Sequence, residues 1–279
     1  MGSTPIPRKV HFMVLGETPP PFMISMVEWS MAKLNEEGFE TKLWDDEQAE
    51  KLVADFGNAE LSQAWEYVKT DPKKSRMARM ADFLRPFILY VEGGVYLDAD
   101  MVPCGGLEYM VDEPGMVSFP FKRASTTDNE VSGSAMSAPP RHRLMGLALE
   151  TFAQLGPSIG TLNNLEAAGP HIFARIVDAY LAGIGVDIPS ISDGNSPYEL
   201  EPLEGVIDES DAYWRARVAD LRFAFEMGGH PHGSYHMAMR TWQGRPEETE
   251  EPPCHKDTNL IAPWLDEFCK VGSMATACI

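Results

Sequence analysis

Residues 81–100 decide the fold of this chain, and they read ADFLRPFILYVEGGVYLDAD. The first part carries apolar residues at helical spacing, the Gly-Gly pair at 93–94 ends that pattern, and 95–97 form a short apolar run typical of a buried strand. Asp98 and Asp100 follow this strand directly. In α/β proteins ligands bind beyond the carboxyl ends of the strands. The sequence therefore places the functional site at this strand end.

Asp98 and Asp100 form the only D-x-D pattern in the chain. On an extended chain, residues two apart point to the same side, so the two carboxylates are predicted to share one cation. Oxygen ligands with open coordination positions suit Mn²⁺ or Mg²⁺ held jointly by the protein and the phosphates of a substrate. The alternative is a solvated strand end without a ligand. The buried strand before the motif favours the metal site.

A helix is predicted over residues 74–90. Asp82 and Arg85 lie on one face of it with Ala78 and Leu89, because the four positions follow helical spacing. The alternative to a functional role is an i,i+3 ion pair on a surface helix, which contributes only about 0.2–0.5 kcal/mol. The helix leads directly into the D-x-D strand. This connection favours a functional role for both charges.

The motifs in this stretch resemble the core of the D-x-D sugar transferases of glycosyltransferase family 32, which includes yeast Golgi mannosyltransferases, and the related core of the glucosylating clostridial toxins. The shared pattern is A-x-x-x-D-F-L-R, then I-L-Y, then G-G-x-Y-L-D-x-D. Further similar segments are IPRKVHF at 6–12, LWDD at 43–46 and GPH at 169–171. The resemblance covers roughly residues 6–242.

This resemblance implies a GT-A fold, a single Rossmann-like α/β domain with a mixed, mostly parallel central sheet and flanking helices. It also implies sugar transfer with retention of anomeric configuration. By position, Asp98 and Asp100 would hold the metal, with Asp98 also close to the ribose of the donor. Asp82 and Arg85 would contact the sugar or ribose of the donor. His236 resembles a histidine of the family that contacts the metal or the diphosphate.

Three positions depart from the family pattern. Val14 stands where several relatives place a tryptophan on the uracil ring, so it is the residue expected to face the base. Pro86 follows Arg85, where relatives have an aromatic or polar residue, and a proline inside a helix predicts a kink or a restart. An asparagine of the family is replaced within residues 131–134.

Alternating elements predict the sheet and its helices. The predicted strands are 9–15, 39–44, 95–97, 116–120 and 131–138, and the predicted helices are 22–36, 46–56, 59–69, 74–90, 143–155 and 165–182. Residues 1–244 are predicted to form the catalytic domain. Residues 245–279, acidic and Pro-rich at their start, are predicted to form a linker and a C-terminal segment.

The formal net charge is −19. Such a charge opposes binding to nucleic acid or to anionic membranes, which need clustered Lys and Arg. The four cysteines lack metal-ligand spacing, so free thiols are expected. No apolar run approaches the ~20 residues that span a bilayer. A soluble cytoplasmic protein is therefore predicted, or a Golgi lumenal one if the chain is a truncated catalytic domain.

The predicted function is a metal-dependent retaining glycosyltransferase. The donor would be a UDP- or GDP-sugar, and the acceptor a hydroxyl of a glycan, lipid or small molecule. Two alternatives remain open. A nucleotide-sugar hydrolase would use the same donor site, and a non-catalytic protein of the same fold would bind the nucleotide sugar or a glycan without turnover.

Overall fold

The structure of the protein is a computed structural model. It describes residues 5–16, 21–71, 76–103, 107–111, 121–123, 129–131, 133–160, 162, 167–182, 234–236 and 266. The predicted strand at 116–120, all four cysteines and nearly all of the C-terminal segment lie outside the described residues.

Eight strands are described, and four of them form the central sheet. In chain order they are β1 (Lys9–Met13), β2 (Glu40–Trp44), β3 (Gly94–Leu97), β4 (Met101–Pro103), β5 (Phe121–Arg123), β6 (Asn129–Val131), β7 (Ala135–Ala138) and β8 (Ser234–His236). The central sheet has the order β2-β1-β3-β7, and β4 pairs with β8 and β5 with β6. Strand β1 is parallel to β2 and β3, whereas β7 is antiparallel to β3. The predicted mixed, mostly parallel sheet is confirmed.

Six α-helices are described around this sheet. They are α1 (Pro21–Glu36), α2 (Asp46–Phe56), α3 (Ala59–Lys69), α4 (Arg76–Glu92), α5 (Arg143–Leu155) and α6 (Pro170–Ala182). Short 3-10 segments occupy Leu107–Met110 and Gly156–Gly160. Among the described residues, no helix combines the length and the apolar character that a bilayer crossing needs.

Local capping explains why α2 and α3 agree with their predicted bounds. The Asp45 side chain accepts a hydrogen bond from the backbone N–H of Gln48 at the start of α2. Asn58 does the same for Leu61 at the start of α3. Such caps satisfy backbone donors that have no partner inside the helix.

Two apolar layers cover the two faces of the sheet. Phe12 and Val95 pack with Leu34 of α1 on one face. The larger layer, on the other face, includes Trp65 of α3 and Phe83 of α4, which are buried. Helix α4 therefore lies in the core, and its polar face is held against the sheet.

Three predicted elements differ in the structure. The predicted strand at 131–138 is two strands that belong to different sheets, β6 and β7. The predicted helix at 165–182 gives way to α6, which begins at Pro170, since proline fits the first position of a helix. The predicted restart at Pro86 is wrong because α4 continues through it. The buried residues on both sides of this proline hold the helix together, as packing rather than propensity supplies most helical stability.

The Gly93-Gly94 pair sets the start of β3. Both residues have a positive φ, 66° and 98°. A Cβ at Gly94 would overlap the backbone carbonyl of Lys9 on the neighbouring strand. Only glycine allows this conformation together with this close approach, so the pair fixes where β3 begins and where its carboxyl end lies.

Candidate donor-binding site

The D-x-D motif forms a turn at the carboxyl end of β3. The backbone N–H of Asp98 donates to the carbonyl of Ser134 (2.8 Å), and the N–H of Met101 donates to the carbonyl of Asp98 (2.9 Å). The expectation of an extended chain from Asp98 to Asp100 is therefore wrong. Aspartate is favoured at the first position of such turns. The turn places both aspartates at the strand end, and their sharing of one cation stays a prediction.

Arg85 joins the helix to the strand end. Its guanidinium contacts the carboxylate of Asp82 at 2.6 Å and that of Asp98 at 3.0 Å. The three side chains are only 13%, 11% and 20% exposed. A solvated surface pair, the alternative left open by the sequence, does not describe this arrangement. The helix pair and the D-x-D motif were predicted to act together. Arg85 of the helix and Asp98 of the motif are in contact.

Tyr96 is a site residue that the sequence reasoning missed. Its hydroxyl donates to Oδ1 of Asp98 at 2.9 Å. The guanidinium carbon of Arg85 lies 5.5 Å from the centre of its ring. Alternation along β3 places Tyr96 on the same side as Asp98, two residues later. The two-residue spacing from Asp98 is the sequence signal that could have identified Tyr96. Its hydroxyl helps to fix the orientation of the Asp98 carboxylate.

Burial and neighbouring charge shift the acid–base properties of this cluster. Burial, opposed by the charge of Arg85 and assisted by that of Asp98, raises the pKa of Asp82 to about 7. Burial acts to lower the pKa of Arg85, but Asp98 and Asp82 outweigh it and leave the pKa above its ordinary value. Burial and then Asp98 raise the pKa of the Tyr96 hydroxyl. Among the described residues, one guanidinium is thus shared by two carboxylates in this cluster.

Gly133 limits the space around Arg85. A Cβ at this position would overlap Nη1 of the guanidinium. A larger residue at 133 would require the guanidinium to move.

A small pocket opens beside the Asp82–Arg85 pair. Its walls come from α4, from the segment leading into β7 and from the start of α6, and the lining residues are Asp82, Arg85, Pro86, Gly133, Met136, Ala168, Gly169, Pro170 and Phe173. The G-P turn at 169–170, quoted from sequence as part of the resemblance, therefore lies at the site. The pocket has the charged pair at one side and both polar and apolar surface in its walls.

The remaining predicted site residues are placed less directly. Asp100 lies in the turn and is half-buried. Strand pairing sets His236 opposite Met101, the residue after Asp100, so its backbone runs beside the turn. Val14 is 8% exposed and packs in the α1 layer. The roles of His236 toward the metal and of Val14 toward the base stay predictions.

The described residues contain no group of three or more His, Cys, Asp or Glu side chains placed to hold a metal ion. Magnesium sites often rely on one or two carboxylates together with substrate phosphates. The D-x-D pair matches that kind of site, one that a diphosphate would complete.

Comparison with protein families identifies the region. Residues 24–115 match the family model described as a glycosyltransferase sugar-binding region containing a DXD motif. Asp82, Arg85, Asp98 and Asp100 all fall inside the match. This part of the chain is similar to the sugar-binding region of D-x-D glycosyltransferases, which confirms the predicted resemblance.

Solved structures similar to this chain include two toxin-related enzymes. The PaToxG glycosyltransferase is 16% identical, with 65% of this chain and 72% of that chain covered and a TM-score of 0.48. The catalytic domain of alpha-toxin from Clostridium novyi is 9% identical, with coverage of 65% and 64% and a TM-score of 0.36. A search of curated proteins finds no match.

Proposed function

We propose that the chain is a metal-dependent retaining glycosyltransferase that moves a sugar from a UDP- or GDP-sugar to a hydroxyl of a glycan, lipid or small-molecule acceptor. One observation carries the proposal. Arg85 bridges Asp82 of α4 and Asp98 of the D-x-D turn, within the segment that matches the DXD sugar-binding region. Retention of configuration is supported by the sequence resemblance.

The bridging arginine orients the donor. Its planar fork of N–H groups is already aligned by two carboxylates, so little side-chain freedom is lost when it donates to a sugar or ribose oxygen. Asp82 accepts from a hydroxyl on the same part of the donor. Both roles depend on α4, which the core holds rigidly against the sheet.

Asp98 and Asp100 supply oxygen ligands of the kind that Mn²⁺ and Mg²⁺ prefer. Asp98 is held by the Tyr96 hydroxyl and by Arg85, so its carboxylate is oriented before any ligand binds. Asp100 is the proposed direct ligand, with Asp98 close to the ribose or bound through water. When bound, the cation would neutralise negative charge on the departing nucleoside diphosphate.

The described residues provide no assigned nucleophile. Transfer in which the donor's own phosphate deprotonates the acceptor hydroxyl needs none, because both reactants remain on one face of the sugar. In this mechanism the protein contributes positioning and charge stabilisation.

The test combines binding with product analysis. The protein is mixed with UDP-glucose, UDP-galactose, UDP-N-acetylglucosamine or GDP-mannose, with Mn²⁺ or with excess chelator, and with or without a mixture of glycan and lipid acceptors. A donor at a hundred times its Kd should stabilise the fold by about 2.7 kcal/mol. We expect metal-dependent release of nucleoside diphosphate and a glycosylated acceptor.

Other results assign a different function. Free sugar as the sole sugar product, at a rate that acceptors do not change, identifies a hydrolase. Thermal stabilisation without diphosphate release identifies a binding protein. An Asp100→Asn variant serves as the control for contaminating enzymes. If the protein neither binds nor turns over any of the four donors, the proposal is contradicted.

A further inference from the structure

A groove lies beside β2, at the edge of the central sheet. Its volume is about 350 Å³, within the range of about 300–1,000 Å³ that small-molecule sites occupy. Residues of β2, of α2 and of the end of α4 line it, and none of them lines the pocket at Asp82 and Arg85. Along α4, Glu92 of the groove lies about 10 Å beyond Arg85. The groove is therefore separate from the candidate donor site.

Apolar side chains form most of the surface of this groove. Among the described residues three large apolar side chains are exposed, and two of them, Phe56 (39%) and Val91 (40%), line it. The ring of Phe56 makes T-shaped contacts with the rings of Phe87 (4.9 Å) and Tyr90 (6.0 Å). These contacts hold the ring in place before a ligand arrives, so little side-chain freedom is lost on binding.

The charged side chains of the groove balance each other. Lys42 contacts Glu92 at 2.6 Å, and Lys51 contacts Asp55 at 2.7 Å. The lining thus has no net formal charge, although the whole chain carries −19. Gln48 adds a neutral amide, which both donates and accepts hydrogen bonds. A ligand with a net charge finds no unbalanced partner in this lining.

Apolar surface together with balanced charges indicates the class of ligand. A hydrocarbon chain would remove water from the two ion pairs and return no hydrogen bond, which costs free energy. A nucleoside diphosphate would need net positive charge. A neutral sugar meets both demands of the groove, because its C–H groups pack on apolar side chains while its hydroxyls donate to carboxylates and accept from ammonium groups.

We infer that this groove is a second binding site of the protein, and that it takes a neutral glycan. Phe56 and Val91 pack against the sugar ring, and the Lys42–Glu92 pair binds its hydroxyls. The glycan is held at a point separate from the donor site. The inference concerns binding alone, so it goes beyond the proposed function and does not depend on it.

The first experiment measures binding to the wild type by isothermal titration calorimetry. The probes are the neutral trisaccharides maltotriose, cellotriose, mannotriose and triacetylchitotriose, together with trigalacturonic acid and 1-octanol. We expect at least one neutral trisaccharide to bind, with a Kd that changes less than about twofold between low and high salt, since an uncharged ligand is not screened. If no neutral trisaccharide binds, or if trigalacturonic acid or 1-octanol binds as tightly as the best of them, the inference is overturned.

Two substitutions test the groove itself. For the trisaccharide that binds the wild type, Phe56→Ser should raise the Kd about tenfold and Val91→Ser about threefold, because each removes apolar contact. Tyr67→Ser is the matched control, since Tyr67 is 40% exposed, lies on α3 and does not line the groove. This control should bind like the wild type.

Thermal melting shows whether each variant is folded. Should both folded variants bind the trisaccharide like the wild type, or should Tyr67→Ser weaken binding equally, the inference fails. If Phe56→Ser does not fold, because it loses two ring contacts, Val91→Ser decides alone.

A competition experiment needs no variant. The same trisaccharide is titrated against protein saturated with UDP or GDP in Mn²⁺. Because the two sites share no lining residue, the Kd should stay within about twofold of its value without nucleotide. Displacement of the glycan by nucleotide would place it at the donor site and overturn the inference. Sugar transfer by a protein that binds none of the glycans removes only this inference, whereas glycan binding without donor binding contradicts only the proposed function.

Discussion

Two arginines on α4, Arg79 and Arg85, both pair with an acid, yet they lie in different environments. Arg79 is completely buried and contacts Asp71 at 2.7 Å. Its guanidinium also donates to the carbonyls of Ile159 and Leu162. Arg85 is 13% exposed and contacts two acids.

The difference separates a structural ion pair from a candidate binding site. Arg79 pairs with the carboxylate of Asp71 and also donates to backbone carbonyls, so it connects the start of α4 to the neighbouring 3-10 segment. Arg85 is outnumbered by Asp82 and Asp98, with Asp100 two residues further, and it lines a pocket. Buried charged groups with shifted pKa values beside a pocket are typical of functional sites.

The largest expected effect contrasts Asp100 with Asp71. Asp100→Asn should lower nucleoside diphosphate release about 10²–10³-fold, since it weakens the electrostatic stabilisation of the leaving group. Its unfolding free energy should change little. Asp71→Asn leaves Arg79 buried without its charge partner, so it should cost about 3–5 kcal/mol of stability. Two measurements on both variants check this contrast: initial rates in the presence of Mn²⁺, and the free energy of unfolding in urea.

Two outcomes would contradict the assignment. Full activity in excess chelator would remove the metal role of the D-x-D turn. A folded Asp100→Asn enzyme with wild-type turnover would show that the turn is not part of the catalytic site.

The second prediction compares lysine substitutions of the two arginines. Arg85→Lys should lower kcat/KM about 10–100-fold, nearly as much as Arg85→Ala, because an ammonium group cannot bridge two carboxylates as a planar fork does. Arg79→Lys should mainly lower stability and leave the KM of the donor unchanged. Steady-state kinetics below the unfolding temperature separate the effects. Wild-type turnover in Arg85→Lys would make Arg85 a structural partner like Arg79.

The sequence predicted those elements that local signals determine. Asp45 and Asn58 are N-caps that can be recognised along the chain, and α2 and α3 begin as predicted. Helical spacing predicts Asp82 and Arg85 on one face, and the contact of Arg85 with Asp98 of the D-x-D turn follows from the short helix–turn–strand connection.

Contacts between distant segments explain what sequence reasoning missed. Gly133 lies beside Arg85 although almost fifty residues separate them. The start of α6 reaches the pocket from still further along the chain. Local spacing carries no signal for either. The turn at the D-x-D motif depends on the hydrogen bond from Asp98 to Ser134, which is another tertiary contact.

The third prediction uses a buried histidine away from the pocket. Trp44 donates its indole N–H to Nδ1 of His11 (3.1 Å), so Nε2 carries the proton and donates to the carbonyl of Gly93 (2.8 Å). Burial lowers the pKa of His11 to about 4, despite the nearby Glu92.

The sign of the pH effect follows from this neutral histidine. Unfolded chains take up the proton near the ordinary pKa of about 6.5, whereas the folded protein does not until about pH 4. His11 contributes about 3 kcal/mol to the free energy of unfolding above pH 6.5, and this contribution is lost as the pH falls toward 4. Urea unfolding between pH 7 and 4 should show this slope in the wild type and a smaller one in His11→Gln. Equal slopes would mean that His11 titrates normally in the fold.

The smallest expected effect comes from a single methyl group at Gly133. Gly133→Ala places a Cβ where Nη1 of Arg85 now lies, so the guanidinium must move away from its two carboxylates. Donor affinity should fall about tenfold, which corresponds to about 1.4 kcal/mol, and overpacking should cost about 1–3 kcal/mol of stability. Titration with the preferred nucleotide sugar and with its free diphosphate measures the change.

Gly146→Ala is the matched control, because the added methyl would meet the ring of Tyr90, at 3.1 Å, and should leave affinity unchanged. If Gly133→Ala folds and binds the donor like the wild type, the observed position of Arg85 is not the one that binds the sugar, and the contrast between the two arginines would have to rest on charge alone.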